Sequence, residues 1–218
     1  MIIAIDGPAA SGKGTLARRL AQHFNLAHLD TGGLYRAAAL HALESGGDPA
    51  DPKTAKAAAE RVRADDLNDP RLRDEQVARA SSVVAAIPAV RQALLAFQRG
   101  FAEHPPGGAR GAVLDGRDIG TVVCPEADAK LFVTASIEAR AKRRFKELRD
   151  SGADAIYDLV LQDMKDRDAR DSQRRTAPLV PADGAFVLDT TALDADAAFA
   201  AALDFIGRKL VGKPSRKG

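Results

Sequence analysis

The chain has 218 residues, a length that suits one α/β domain with a modest insertion. Its 32 lysines and arginines against 30 aspartates and glutamates argue against a general nucleic-acid-binding surface. The single cysteine, Cys124, excludes an internal disulfide, and no apolar run approaches the roughly 20 residues that span a bilayer. We therefore expect a soluble, cytoplasmic protein that binds neither nucleic acid nor membrane, and the clustering of its basic residues favours a small polyanionic ligand.

Strand-length apolar runs alternate with helical stretches along the chain. Strands are expected at 2–5, 27–29, 112–114, 130–133 and 185–188, and helices at 13–24, 32–44, 87–103, 136–150, 155–170 and 194–211. This alternation predicts an α/β fold with a parallel five-stranded sheet and helices on both faces. Ligands of such sheets bind at the carboxyl ends of the strands. The four histidines lack metal-ligand spacing and are expected at the surface or at helix ends: His23, His28, His41 and His104.

The first predicted strand leads into a glycine-rich loop that is typical of phosphate binding. The loop consists of Gly7, Pro8, Ala9, Ala10, Ser11, Gly12, Lys13, Gly14 and Thr15. Its sequence fits G-x-x-x-x-G-K-[S/T], except that Gly14 occupies the hydroxyl position and Thr15 follows it. The backbone N–H groups and the following helix N-terminus favour phosphate, Lys13 would reach the β- and γ-phosphates, and Thr15 would lie near the metal. The loop predicts a nucleoside triphosphate site, as in P-loop proteins.

The ending of this loop separates two classes of P-loop protein. GTPases carry a hydroxyl residue directly after the lysine, whereas a glycine there with threonine next resembles the nucleoside monophosphate kinases. No N-K-x-D or correctly spaced D-x-x-G motif follows, and Asp115-Gly116-Arg117-Asp118 has the wrong spacing. The GTPase alternative therefore lacks support.

A second polar segment, Asp30 to Arg36, follows the second predicted strand. Thr31 is placed to cap the next helix, and Tyr35 and Arg36 fall in its first two turns, where they are expected to face the cleft. A simple helix cap with a surface arginine is the alternative.

The third segment, residues 114–121, carries an acid at a strand end, a glycine and an arginine. Asp115 is expected to hold Mg²⁺ through water, as an acid at a neighbouring strand end does in other P-loop proteins. Arg117 is suited to a bidentate phosphate contact, and Asp118 to accepting hydrogen bonds from a sugar or base.

A fourth segment, residues 167–175, is rich in arginine and aspartate. On one continuous helix, Arg167, Asp171 and Arg174 are spaced i, i+4 and i+7 and share a face. Taken alone, this pattern favours a solvated face with ordinary ion pairs. Its occurrence with the other three segments favours a binding role instead.

Residues 46–72 differ from the rest of the chain. Pro49, Pro52 and Pro70 interrupt a segment with few large apolar residues, which predicts a mobile peripheral insertion that buries little surface. The tail from Gly212 is short and basic and is expected to fray.

The four motifs together resemble those of bacterial cytidylate kinases. G-P-A-A-S-G-K-G-T, D-T-G-G-L-Y-R, L-D-G-R-D-I-G-T-V-V and R-D-x-R-D-x-x-R-x-x-A-P-L occur in that order, and the resemblance covers about residues 1–210. It implies transfer of the γ-phosphoryl group of ATP to CMP and dCMP with Mg²⁺, by a protein that is usually monomeric. It also implies one domain over 1–218, with a core at about 1–45, 85–150 and 176–211, an insertion that binds the nucleoside monophosphate at about 46–84, a short lid at about 150–175 and a tail at 212–218.

The resemblance carries over to individual positions. The CMP contacts that it implies are Thr31, Tyr35, Arg36, Ser82, Arg91, Gly116, Arg117, Asp118, Arg167, Asp171 and Arg174. ATP is expected on the loop and on Arg140 and Arg144, with Arg143 as the alternative to Arg144. Lys13, Asp115, Arg117 and Arg174 are the expected catalytic residues, and Thr15 and Asp115 the metal contacts.

Two positions depart from the family pattern. Members often carry serine where this chain has Thr31, and the added methyl bears on the choice between ribose and deoxyribose. The family's insertion usually contains short β-strands, whereas 46–72 looks shortened and proline-broken. A kinase for UMP or shikimate and an ATP-dependent switch are the competing functions, but arginines in separate segments favour two bound polyanions over one.

Overall fold

The computed structural model describes residues 1–211, and a parallel five-stranded sheet lies at its centre. The strands are β1 (Ile2–Asp6), β2 (Ala27–Asp30), β3 (Ala112–Gly116), β4 (Ala129–Thr134) and β5 (Phe186–Asp189). Their order across the sheet is β2-β3-β1-β4-β5, and every neighbouring pair is parallel. The predicted sheet is confirmed. The carboxyl ends of all five strands therefore meet along one edge.

Eight α-helices lie within residues 1–211. They are α1 (Lys13–Phe24), α2 (Thr31–Glu44), α3 (Pro52–Glu60), α4 (Glu75–Val84), α5 (Pro88–Glu103), α6 (Ile137–Asp150), α7 (Tyr157–Ser172) and α8 (Ala195–Val211). They cover both faces of the sheet, because alternate residues of a strand point to opposite sides. Ala4 and Leu114 pack in the cluster formed with α2 and α5, whereas Ile3 and Val113 pack with α1 and α8.

The segment 46–72 is folded onto the protein, so the expectation that it buries little surface is wrong. Asp51 caps α3 by accepting a hydrogen bond from the Thr54 N–H at 2.8 Å. Ala55, Ala58 and Ala59 are buried at spacings of three and four residues along α3 and pack in the larger core cluster. Small alanines let this helix approach its neighbours closely, so burial here does not need large apolar side chains.

Short turns of 3₁₀-helix complete this segment. They span Ala64–Asn68 and Pro70–Arg73, and Leu72 is buried in the second. No strand occurs anywhere in 46–84, unlike the pattern usual in the family. The division into core, insertion and lid stays a prediction, and the predicted tail 212–218 lies outside the described residues.

Among residues 1–211, no single helix is long and apolar enough to cross a membrane. One pair of helical segments, Glu75–Val84 with Pro88–Gly108, has the length and composition of a membrane span, but the pair is bent by 101°.

Candidate active site

A cleft of about 930 Å³ opens at the carboxyl ends of β1, β2 and β3. It brings together most of the residues singled out in the sequence: Ala9, Ala10, Lys13, Gly14, Thr31, Tyr35, Arg36, Ser82, Arg91, Asp115, Gly116, Arg117, Asp118, Arg144, Arg167, Asp171 and Arg174. Ser11, Gly12 and Thr15 instead border a smaller cavity of about 240 Å³ beside the loop. Gly7, Pro8 and Arg140 are not among the lining residues of either cavity.

The glycines of the loop are required by its close packing. A Cβ on Gly7 would lie 2.0 Å from the Val133 carbonyl oxygen, so the loop lies directly against β4. Gly12 precedes α1 with a φ of 89°, a conformation that residues with a Cβ rarely adopt. The Gly7 N–H donates to the Gly116 carbonyl at 3.3 Å and so joins the loop to the end of β3. This geometry leaves the N-terminus of α1 directed toward the cleft.

Lys13 extends from the first turn of α1 back over the loop. Its Nζ donates a hydrogen bond to the Pro8 carbonyl at 3.2 Å. Burial lowers the pKa of Lys13 to about 7, and the nearby Arg117 adds to this effect, while the carboxylates of Asp115 and Asp30 oppose it. The positive charge on Lys13 is therefore unfavourable in the free protein, and a bound anion would stabilise it.

Asp115 is fixed at the end of β3 by contacts to its backbone and to its side chain. Its carboxylate Oδ2 lies 2.8 Å from Nε2 of His28, and its backbone carbonyl accepts a hydrogen bond from Thr31 Oγ1 at 2.8 Å. A Cβ on Gly116 would lie 2.5 Å from Thr31 Oγ1, so this approach also requires glycine. Thr31 does not cap α2 as predicted, because Asp30 occupies that position and the Thr31 hydroxyl is used by β3.

The expectation that all four histidines lie at the surface or at helix ends is wrong for His28. This residue belongs to β2, lines the cleft and contacts Asp115. The sequence contained a usable signal. His28 and Asp30 are two residues apart in a strand that ends at the cleft, so their side chains share a face.

Asp118 is paired with Arg91 inside the cleft. Both side chains are almost fully buried, and Arg91 also donates to the Ala85 carbonyl at 3.1 Å. The Arg91 guanidinium lies 5.4 Å from the centre of the Tyr35 ring. Burial raises the pKa of the Tyr35 hydroxyl to about 12, so the phenol is neutral at physiological pH. This cluster presents a fixed carboxylate to the cleft.

Asp171 holds two arginines of the cleft. Its carboxylate accepts from Arg117 Nε at 2.8 Å and pairs with Arg174 through its other oxygen. Burial raises the pKa of Asp171, but Arg117, Arg174 and Arg167 outweigh burial and hold this pKa below its usual value. The carboxylate therefore remains ionised between the arginines.

The predicted helical face is wrong for Arg174. Helix α7 ends at Ser172, so Arg174 lies beyond it, and the i, i+7 spacing does not apply. The chain turns back after the helix, and the Leu179 N–H donates to the Asp171 carbonyl at 3.0 Å. This turn brings Arg174 to Asp171 from outside the helix.

Three buried guanidinium nitrogens in the cleft lack a hydrogen-bond partner in the described protein: Nε of Arg167 and Nε and Nη1 of Arg174. Burial lowers the pKa of Arg167 to about 10, with Arg117 adding to the shift, and burial also lowers the pKa of Arg174. Buried cationic N–H groups without acceptors are strongly unfavourable. The phosphate of a ligand would supply those acceptors.

The arginines of α6 differ in their accessibility. Arg140 is buried and forms two hydrogen bonds with Asp168, at 2.6 and 3.1 Å, so its guanidinium is already neutralised by the protein. Arg143 donates to Thr190 and borders the smaller cavity, whereas Arg144 lines the main cleft. Arg144 and Arg143 are thus better exposed to a nucleotide than Arg140.

Arg170, which has no role among the motifs of the sequence, borders a separate cavity of about 360 Å³ together with Ser82 and Arg167. Its Nε donates to Ser82 Oγ at 3.2 Å and so links α7 to α4. Its position three residues after Arg167 on one helix was the available signal.

Comparison with known proteins identifies the family of the chain. The sequence model of the family described as cytidylate kinase matches residues 3–207. The cytidylate kinase of Paramagnetospirillum magneticum is 62% identical over 208 residues, which cover 95% of this chain and 98% of the relative. That of Rhodospirillum rubrum is 59% identical, with 96% and 98% covered. A solved structure of an uncharacterized protein from Eubacterium ventriosum, 16% identical, covers 95% of this chain and 98% of its own at a TM-score of 0.53, a similarity of fold alone. The chain belongs to the cytidylate kinase family.

Proposed function

We propose that this protein transfers the γ-phosphoryl group of ATP to CMP and dCMP, producing ADP and CDP or dCDP. One observation carries the proposal beyond family membership. Buried guanidinium N–H groups of Arg167 and Arg174 have no acceptor in the described protein and lie in the same cleft as the phosphate-binding loop. Two polyanions bound side by side would satisfy both the loop and these arginines.

On the donor side, the loop and the N-terminus of α1 would hold the triphosphate. Lys13 would approach the β- and γ-phosphates, and the anion would restore its positive charge by raising its pKa. Arg144 lines this part of the cleft, with Arg143 next to the smaller cavity. Arg140 supports the site through Asp168 and the Ala9 carbonyl in the free protein.

On the acceptor side, we assign the CMP phosphate to the arginines that surround Asp171, and the base to the region of Ser82 and Asp118. Cytosine carries an amino group where uracil carries a carbonyl, so a fixed carboxylate favours cytosine. Asp118 is such a carboxylate, because Arg91 holds it in place. Thr31, Tyr35 and Arg36 would complete the wall of this half of the cleft.

The residues beside the loop fit a magnesium ion. Asp115 is 2% exposed, and its Oδ1 lies 3.8 Å from where a Cβ on Gly14 would be, so a carboxylate oxygen faces the loop. Thr15, the other expected metal contact, borders the smaller cavity and not the cleft that Asp115 lines. Mg²⁺ prefers hard oxygen donors and retains several waters, so one carboxylate with nucleotide phosphates suffices. When bound, Mg²⁺ would neutralise charge on the β- and γ-phosphates.

The reaction would proceed by direct in-line transfer. A phosphate oxygen of CMP forms a bond to the γ-phosphorus, and the bond from that phosphorus to the bridging oxygen breaks, releasing ADP. The attacking phosphate is already ionised, so no general base is required. Lys13, Arg117 and Arg174 would stabilise the charge on the migrating group. Movement of the 46–84 insertion and of the 150–175 lid would exclude water.

The proposal includes a monomeric protein whose partners are nucleotides. A coupled assay of ADP release with CMP, dCMP, UMP, AMP and shikimate tests it, together with thermal-shift measurements of the same compounds. We expect CMP and dCMP to be the best acceptors, in a reaction that requires Mg²⁺. Preference for UMP, AMP or shikimate would refute the assignment, and ATP hydrolysis without transfer would favour the ATP-dependent switch.

A further inference from the structure

His28 lines the cleft, but the proposed mechanism gives it no role. Its side chain is 20% exposed, and its Nε2 lies 2.8 Å from Oδ2 of Asp115, which is 3% exposed. His23 and His104, in contrast, are exposed residues outside the cleft.

The sheet register explains why His28 reaches Asp115. In the parallel pair of β2 and β3, His28 lies opposite Val113 and Asp30 lies opposite Asp115. Side chains two residues apart along a strand share a face. His28 and Asp115 are therefore diagonal neighbours on the same face, and the length of the imidazole ring spans the gap. The contact follows from the register and is not a surface encounter.

The direction of this hydrogen bond follows from its chemistry. A carboxylate only accepts, so the N–H of His28 is on Nε2 and donates a hydrogen bond to Oδ2 of Asp115. The second oxygen, Oδ1, is left facing Gly14 of the loop. The hydrogen bond from Thr31 to the Asp115 carbonyl fixes the backbone at the same point. His28 therefore sets the rotation of a carboxyl group whose backbone is already held.

We propose that His28 is a positioning residue that directs Oδ1 of Asp115 toward a divalent cation bound with the nucleotide on the loop. His28 contacts neither nucleotide nor cation in this role and transfers no proton. Groups that orient a ligand of a metal ion in this way contribute about 10- to 100-fold in metal affinity or activity. The inference rests on the magnesium site of the proposed function.

Calorimetry with a non-hydrolysable ATP analogue tests the inference, with each titration run once in Mg²⁺ and once in EDTA. His28→Phe keeps a planar ring but removes the N–H, and His28→Gln keeps an N–H at a similar distance along the side chain. We expect His28→Phe to weaken binding about tenfold in Mg²⁺ and to leave binding in EDTA unchanged. His28→Gln should bind like the wild type, and so should the matched control His104→Leu. Thermal unfolding of each variant verifies that it is folded, and His28→Leu replaces His28→Phe if the latter is not.

Unchanged binding in His28→Phe would overturn the proposal. So would an equal loss with and without Mg²⁺, or an equal loss in His28→Phe and His28→Gln, because either result would indicate packing and not orientation. The titrations contain no CMP. A wild-type protein that binds the analogue with Mg²⁺ but fails to phosphorylate CMP would therefore refute the proposed function without deciding the role of His28.

Discussion

Replacing Arg174 by alanine separates a binding role from a structural one, because the surroundings of this side chain predict a small effect on stability and a large effect on activity. The change removes the ion pair with Asp171, and breaking a buried pair ordinarily costs about 3–5 kcal/mol when it leaves a buried charge alone. Asp171 is not left alone here, since Arg117 Nε still donates to it at 2.8 Å.

The same substitution removes an unfavourable feature. Nε and Nη1 of Arg174 are buried without partners, and each such group costs about 1–3 kcal/mol. Burial, with the nearby Arg91 and Arg117, lowers the pKa of Arg174 despite Asp171, so the free protein disfavours this cation. The two effects oppose each other, and we expect the free energy of unfolding to change by no more than about 1 kcal/mol, a shift of roughly 2–4 °C.

Activity should respond differently. If Arg174 contacts the migrating phosphoryl group, Arg174→Ala should reduce kcat/KM at least about 100-fold, which corresponds to some 2.7 kcal/mol. Arg175→Ala, at an exposed neighbouring position, is the control and should change neither quantity. Thermal unfolding and the coupled ADP assay measure both effects. A variant that is strongly destabilised yet turns over normally would show that Arg174 is structural, and equal losses at both positions would indicate a diffuse basic surface.

Three further substitutions test Lys13 and Asp118 in the cleft and the buried Asp6 at the end of β1. Lys13→Ala should reduce kcat by about 10²–10⁴. Because the pKa of Lys13 is about 7 when folded and about 10.4 when unfolded, the unfolded state binds more protons between these values, so wild-type stability should gain from this group as pH rises from 7 to 10. Lys13→Ala should lack this gain in stability when denaturant titrations are repeated from pH 7 to 10. Identical dependence of stability on pH in the wild type and in Lys13→Ala would contradict the prediction. Asp118→Asn should weaken CMP binding by about 1–3 kcal/mol in calorimetry and leave ATP binding unchanged; a collapse of ATP affinity would instead place Asp118 at the metal site. Asp6→Asn concerns a carboxyl group whose pKa burial raises to about 6, against the opposing hydrogen bonds from Gly120 and Ile119. The folded protein then binds more protons than the unfolded one between pH 4 and 6. The free energy of unfolding of the wild type should therefore fall by up to about 3 kcal/mol as the pH rises from 4 to 6. The same dependence of stability on pH in Asp6→Asn would contradict this explanation.

The sequence predicted the sheet and the phosphate-binding loop because both depend on local patterns. A short apolar run such as Ile2–Ile5, rich in isoleucine and followed by a glycine turn, favours a buried strand, and the glycines of the loop match a backbone shape that few other residues permit. The burial of the segment 46–72 was harder to predict, since it comes largely from alanines on α3. Alanine is common on exposed and buried helix faces alike, so its presence does not indicate which face packs.

The contacts within the site depend on long-range geometry that no local pattern contains. The pairing of Arg91 with Asp118, and of Arg140 with Asp168, joins elements far apart in the chain. The spacing of His28 and Asp30 placed His28 on a strand that ends at the cleft, but its contact with Asp115 follows only from the register of β2 against β3. Spacing along an assumed helix misplaced Arg174, since the end of α7 is set by the turn at residues 173–179 and not by periodicity.

The cleft of the free protein contains an excess of arginine and lysine side chains. Carboxylates hold several of these cations in place. Asp171 and Asp118 pair with arginines that would otherwise repel one another, yet Nε of Arg167 and Nε and Nη1 of Arg174 have no acceptor in the described protein. A phosphate dianion carries two charges and three terminal oxygens, so it can accept hydrogen bonds from several such groups at once. The phosphate of a nucleotide would therefore form hydrogen bonds that these arginines lack in the free protein. A nucleoside without phosphate cannot form them and should bind poorly.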